Sequence, residues 1–218
     1  MSHSVHPKAY RLRRVSDWDS RWFEHKRPSI YLEEDFKIRK FLNNKLKEAG
    51  VEKIEIERSA NKTIVFISTS RPGLIIGRGG EQVDKIKKEL ESKILKNDDK
   101  GQQLKIEIKS IKNLWLSAPL VSQWIAQQIE KRMPFRRVIK RAALTVEGYK
   151  EIKGVRVQVS GRLNGVSISR NEWIQKGSLP KNTIRADIDY GFTKACCSYG
   201  VIGVKVWLYK GEKFEDKD

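Results

Sequence analysis

The stretch Arg71-Pro72-Gly73-Leu74-Ile75-Ile76-Gly77-Arg78-Gly79-Gly80 decides the fold of the first half of the chain. Before it, Thr63-Ile64-Val65-Phe66-Ile67 is apolar on both parities, which predicts a central strand. After it, Val83, Ile86, Leu90 and Ile94 form one stripe, which predicts a helix over residues 81–95. A Gly-x-x-Gly loop therefore joins a short helical turn to a longer helix. Glycine has no Cβ, so a sugar-phosphate backbone can approach the main chain closely. The helix that follows points free N–H groups and the positive end of its dipole at such a ligand. Arg78 puts a charge at the loop tip, and Lys85, Lys87 and Lys88 lie behind it.

Working outward, Ile38, Phe41, Leu42, Leu46 and Ala49 recur at helical spacing over residues 29–49, with Glu33, Glu34 and Asp35 in the early turns and Gly50 as a stop. Ile54 and Ile56 alternate with Glu55 and Glu57, a strand with one wet face. Residues 97–101 read as a polar turn, and Leu104, Ile106 and Ile108 as a further alternating strand. The order is helix, strand, strand, helical turn, glycine loop, helix, strand, which is similar to the KH domain, a clamp for single-stranded nucleic acid. A nucleotide loop fits worse. A Walker loop needs Gly-Lys-Ser/Thr where Gly80 is followed by Glu81-Gln82, and a Rossmann fingerprint needs a glycine where Gln82 stands.

From Lys112 the pattern changes. Ser117 as N-cap and Pro119 in the first turn predict a helix to about residue 132, and a second helix follows Met133-Pro134. Alternation at Val155, Val157 and Val159, at Ile184, Ala186 and Ile188, and over 201–209 predicts an antiparallel sheet. The fold class is α+β, with a KH-type unit followed by a two-helix plus antiparallel-sheet domain. The expected divisions are an extended, basic, aromatic arm over 1–28, the KH unit over 29–111, the second domain over 112–211 and a loose tail over 212–218.

The formal net charge is +18, and it is spread along the chain: residues 1–110 carry 25 basic and 17 acidic side chains, and residues 111–218 carry 20 and 10. Both halves therefore suit a polyanion. Within 131–141, Lys131, Arg132, Arg136, Arg137, Lys140 and Arg141 leave no acid at helical spacing beside the last four. On a helix those four share one face, while Phe135, Val138, Ile139 and Ala142 cover much of the other. Six such contacts to a single strand would give a log–log salt slope of roughly −4. No stretch approaches the roughly 20 apolar residues of a membrane span, and the N-terminal residues lack the apolar core of a secretory signal. A cytoplasmic protein without a membrane partner is expected. Cys196 and Cys197 read as small buried apolar residues, not as a metal site. Asp187-x-Asp189 is the one carboxylate pair of interest, and pairing with Arg162, Arg170 or Arg185 explains it better than catalysis. No enzyme, cofactor or metal is expected. In the arm, arginines stand among Trp18, Trp22 and Phe23, a composition that suits stacking on RNA bases or pinning the arm to a domain.

A broader resemblance runs from Val5-His6-Pro7 through Trp18-x-x-x-Trp22-Phe23, Arg71–Gly77, Phe135-Arg136-Arg137, Val159-Ser160-Gly161-Arg162-Leu163, Glu172-Trp173 and Arg185-Ala186-Asp187-Ile188-Asp189-Tyr190 to Tyr199–Trp207. In these stretches the chain resembles the universal small-subunit ribosomal protein S-three family in its bacterial form. The resemblance implies a type II KH domain, binding to small-subunit rRNA in the head, neighbouring head proteins as partners, contact with mRNA at its entrance, and a monomer within the ribosome. Carried over, Arg136, Arg137 and Lys140 face mRNA and help open its structure, with Arg132 and Arg141 beside them. Lys8, Arg11, Arg13, Arg14, Trp22, Arg71, the loop Gly77, Arg78, Gly79 and Gly80, and Arg162, Arg170 and Arg185 are expected on rRNA. The loop tip carries one cation where many relatives carry two, and residues 97–112 look longer than is common. The last residues, Glu215-Asp216-Lys217-Asp218, stand where many relatives continue into a basic tail. The alternative is a free KH-type RNA-binding regulator.

Overall fold

The computed structural model describes residues 5–12, 15–25, 28–59, 62–93 and 103–214. In chain order the elements are α1 (Pro7–Tyr10), β1 (Ser20–Arg21), α2 (Pro28–Lys45), β2 (Val51–Ser59), β3 (Lys62–Thr69), α3 (Pro72–Ile76), α4 (Glu81–Lys93) and β4 (Gln103–Ser110). The second half adds α5 (Ala118–Glu130), α6 (Phe135–Glu147), β5 (Gly154–Gly161), β6 (Arg170–Gly177), β7 (Ala186–Cys197) and β8 (Gly200–Glu212). The described residues fall into two units. One comprises those of Trp18–Lys112; the other joins those of Met1–Asp17 to those of Asn113–Asp218. The expected arm over 1–28 is thus divided between the two.

In the first unit the sheet order is β1-β2-β3-β4, with β2 antiparallel to β3 and β3 parallel to β4. The apolar stripe of α2 (Ile38, Leu42) and that of α4 (Ile86, Leu90) close over Ile54, Ile56, Val65 and Ile67. These are the positions that helical and strand periodicity select. Burying each large aliphatic side chain contributes on the order of 1.5–3 kcal/mol. A charged pair, Arg58 with Asp35, shares this interior. Arg58 follows the inward parity of Ile54 and Ile56, so its guanidinium is buried at 8% exposure. There it donates to Asp35 through Nε and Nη2, at 3.1 and 2.6 Å, and pairs with Glu34. Asp35 is buried too, and its other oxygen accepts from Ser20 Oγ and Trp22 Nε1. Asp35 is therefore the buried partner of Arg58, a role beyond that of a surface acid favourable to the helix dipole. Buried charges persist only when paired and hydrogen-bonded in this way.

The opposite face of this sheet is a lattice of ion pairs. Lys53 bridges Asp19 and Glu55, Lys109 approaches Glu55, Arg21 meets Glu57, and Lys105 meets Glu107.

The second unit has a fully antiparallel sheet in the order β6-β5-β8-β7. One face carries α5 against β7 and β8, and α6 against β5 and β6. Val121, Ile125, Ile139, Val157, Val204 and Val206 are fully or almost fully buried between the layers. The start of α5 presses on β7 at Gly191, where a Cβ would lie 2.3 Å from the Ala118 carbonyl oxygen. The fold is α+β, as expected.

At four points the structure departs from expectation. Ser117 stands at the N-cap of α5 but its hydroxyl makes no cap bond; Asp189 on β7 accepts from the Ala118 N–H instead, at 2.8 Å. The acids of Asp187-x-Asp189 meet lysines, Lys213 at 2.9 Å and Lys210 at 3.8 Å, and not the arginines expected. Cys196 is exposed and Cys197 half-buried, because β7 continues through them to its hairpin and alternation turns Cys196 outward. Over residues 7–11 the arm is not extended: α1 is a helical turn, and Arg11 behind it is 2% exposed.

Candidate nucleic-acid interface

The glycine loop is built from a short helix that anchors itself. Pro72 opens α3 and Ile75 is its buried residue, leaving Leu74 and Ile76 exposed. The Gly77 N–H closes the helix on Gly73, and the chain then reverses at Gly77 with φ 71°. Gly79 and Gly80 also hold positive φ, at 60° and 85°. All three positions favour glycine by backbone conformation alone. They differ in their surroundings. A Cβ on Gly77 would meet Gln82 at 2.8 Å, whereas Gly79 and Gly80 have open space around them. The open side of the loop is therefore Arg78-Gly79-Gly80, with Arg78 exposed at its tip. The first turn of α4 carries Glu81 and Asp84, which offset part of the positive field of that helix end. Glu81 pairs with Lys85 at 3.7 Å.

The basic helix is the stronger electrostatic feature. On α6, Phe135, Val138, Ile139, Ala142, Ala143 and Val146 are buried, and Arg136, Arg137, Lys140 and Arg141 are exposed. Among the described residues Arg137, Lys140 and Arg141 form no ion pair; Arg141 lies over the Trp124 ring, at 6.0 Å from its centroid. Arg136 differs. Its Nε and Nη2 donate to the two carboxylate oxygens of Glu172 on β6, at 3.2 and 3.1 Å. The hydrogen bond from Arg136, helped by its charge and that of Arg170, holds the Glu172 carboxyl below the usual range. Sequence spacing hid this acid, which lies 36 residues away on a strand that hydrophobic alternation did not reveal. Arg132 stands in the α5–α6 turn at φ 61°, with its side chain exposed.

The other expected RNA residues scatter more widely. Arg11 donates to the carbonyls of Ala186, Lys181 and Thr183 at 2.7–2.9 Å and to that of Pro7 at 3.2 Å. Its guanidinium is a buried staple, so the expectation of an RNA contact is corrected. Trp22 likewise gives its indole N–H to Asp35 and meets Tyr31 edge-on, which makes it part of the Arg58 site rather than a free stacking ring. Arg162 donates to the carbonyls of Val166 and Tyr199 while staying exposed. Arg185 is exposed and pairs with Glu212 at 2.8 Å. Arg170 is exposed at the start of β6, and Arg71 is exposed beside the glycine loop. Lys8 lies half-buried on α1. Arg13 and Arg14 lie outside the described residues. Among the described residues no group of His, Cys, Asp and Glu is placed to hold a metal ion, and no helix is long and apolar enough to cross a membrane.

Two family models match the chain: a KH domain over residues 37–116, and the C-terminal domain of ribosomal protein S3 over residues 125–208. The chain is 45% identical to the small ribosomal subunit protein uS3 of Desulfitobacterium hafniense, over 97% of this chain and 94% of that one. It is 46% identical to that of Caldicellulosiruptor saccharolyticus, over 100% and 96%, and 45% identical to that of Endomicrobium trichonymphae, over 99% and 90%. Matched in both units and along almost the whole length of these relatives, the chain belongs to the uS3 family of small ribosomal subunit proteins.

Proposed function

We propose that this chain binds small-subunit rRNA in the head of the subunit, beside neighbouring head proteins, and contacts mRNA at its entrance through the exposed face of α6. As a member of the family it is a structural, RNA-binding constituent of the small ribosomal subunit, working in the ribosome in the cytoplasm, and not an enzyme. The observation that carries the mRNA reading is the division of α6: one side is buried core, and the other holds Arg137, Lys140 and Arg141 without a carboxylate partner among the described residues. Cations left this way on a rigid helix are preorganised for phosphate. Arg136 joins them by exchanging Glu172 for a phosphate, and Arg132 extends the row past the start of the helix. Lys8, Arg71, Arg78 with its glycines, Arg162, Arg170 and Arg185 remain the rRNA candidates, together with Arg13 and Arg14.

The test is a reconstituted translation assay with Arg136→Ala, Arg137→Ala and Lys140→Ala combined. The expected result is normal incorporation into subunits with slower passage through stable hairpins in the message. Normal incorporation with unchanged rates on those hairpins would overturn the assignment.

A further inference from the structure

The face of the second unit's sheet that turns away from α5 and α6 has a composition that the function above does not use. Strand register defines it. One cross-strand row runs Gln175, Arg156, Trp207, Tyr190, and the next runs Trp173, Gln158, Lys205, Phe192. The alternate positions Val155, Val157, Val204 and Val206 belong to the core, so these rows point the other way. The two rows hold four aromatic rings, two cations and no carboxylate. Lys181 adds a third cation, 5.5 Å from the centre of the Trp207 ring. Arg156 lies between Trp173 and Trp207, at 4.3 and 5.8 Å from their ring centres. Its Nε is buried and has no hydrogen-bond partner among the described residues. Trp173 and Phe192 stay 53% and 49% exposed. At one end the face deepens into a cavity of about 470 Å³, lined in part by His6, Tyr10, Lys181, Tyr190, Lys205 and Trp207.

We infer that this open sheet face is a second RNA site, on which an unpaired RNA segment stacks its bases on Trp173 and Phe192 and lays its phosphates along Arg156, Lys205 and Lys181. Flat rings on a pleated sheet accept any base, and cations between them fix the backbone. The absence of carboxylates from the two rows is what singles out a polyanion over a protein of mixed charge. Burial and the repulsion of Arg156 push the Lys181 ammonium below its ordinary value, a cost that an intervening phosphate removes. The inference rests on the RNA-binding reading of the chain but not on the α6 assignment.

The experiment uses the full purified chain and a short unstructured oligouridylate, with binding followed by tryptophan quenching and by ultraviolet cross-linking mapped to peptides. Trp173→Leu and Phe192→Leu are each expected to weaken binding at least about fivefold, and Trp173→Phe to stay within about twofold of the parent. Circular dichroism confirms that the variants fold. Both losses should persist in a chain already carrying Arg136→Ala, Arg137→Ala and Lys140→Ala, so that failure of the α6 reading leaves this one standing. Leucine variants that bind like the parent, or cross-links confined to the α6 and glycine-loop peptides, would overturn it. So would small subunits in which Trp173 cross-links to protein and not to RNA. Cross-links from Trp173 to rRNA in those subunits would support it.

Discussion

The two sheets of this chain each cover one face with helices and leave the other open, and the open faces solve opposite problems. On the first, Lys53, Lys109, Arg21 and Lys105 stand among Asp19, Glu55, Glu57 and Glu107 and pair with them. Charge there closes on itself. On the second, Arg156 and Lys205 share their rows with rings and amides, and among the described residues no acid pairs with them. The comparison teaches that net charge is a poor guide to a nucleic-acid surface. Both sheets carry cations; what separates them is where the carboxylates are.

The first unit also uses charge internally, and breaking that use gives the largest expected effect. Asp35→Ala strips Arg58 of its main buried partner and should destabilise the first unit by about 3–5 kcal/mol in urea unfolding. A loss under 1 kcal/mol would mean that the charge in this unit is not structural. Next comes an attempt to make the second face resemble the first. Gln158→Glu places an acid between Trp173 and Lys205 and should weaken oligouridylate binding about fivefold at 0.1 M salt, from one added negative charge on a single strand. The melting temperature should hardly move.

Smaller still is the effect of opening the first face. Burial pushes the Glu55 carboxyl up, but the hydrogen bond from Lys53 and the charges of Lys53, Lys109 and Arg21 outweigh it, and the net shift is downward. The stability it contributes is therefore present above its ordinary value and lost as pH falls through the lowered one. Glu55→Gln should remove at most about 1 kcal/mol at neutral pH, with a correspondingly flatter acid limb and no loss of RNA affinity. The smallest effect concerns the arm. Burial, then the charge of Lys8, holds the His6 imidazole below 6.5, and His6 both accepts from the Lys8 N–H and meets Tyr190 edge-on. Its contribution is complete above pH 6.5 and fades below, so the protection of α1 amides, measured against their intrinsic exchange rate at each pH, should fall on acidification in the parent. That loss of protection should vanish in His6→Asn.

Much of the architecture was legible in the sequence, because burial and periodicity coincide in α2, α4, α6 and the inward parity of β2, β3, β5 and β8. The exceptions have physical reasons. Strand β6 reads Arg-Asn-Glu-Trp-Ile-Gln-Lys-Gly and pairs on one side only, so little of it is buried and alternation is faint. With β6 unread, Glu172 had no place, and Arg136 looked unpaired. Arg58 did carry a signal: an arginine on the inward parity of Ile54 and Ile56 demands a buried acid. Its partner sits in the first half of α2, where acids are ordinary, so the pair was invisible from either end. Arg11 was misread for the reverse reason. Its acceptors are main-chain carbonyls, which no side-chain pattern reports.

Those carbonyls have a consequence for the order in which the molecule is made. Arg11 is synthesised long before the main-chain oxygens that hold it, which lie 170–175 residues later. The second unit's sheet has the same property: β8, translated after β5, β6 and β7, lies between β5 and β7. Domains generally fold as they emerge, N-terminal first, at about 5–20 residues per second. Here the first unit is free to fold while the second is still being translated, but the second has an open seam until β8 arrives. Until then Arg11 and its short helix travel unattached. Residues made before either sheet are thus among the last to find their places.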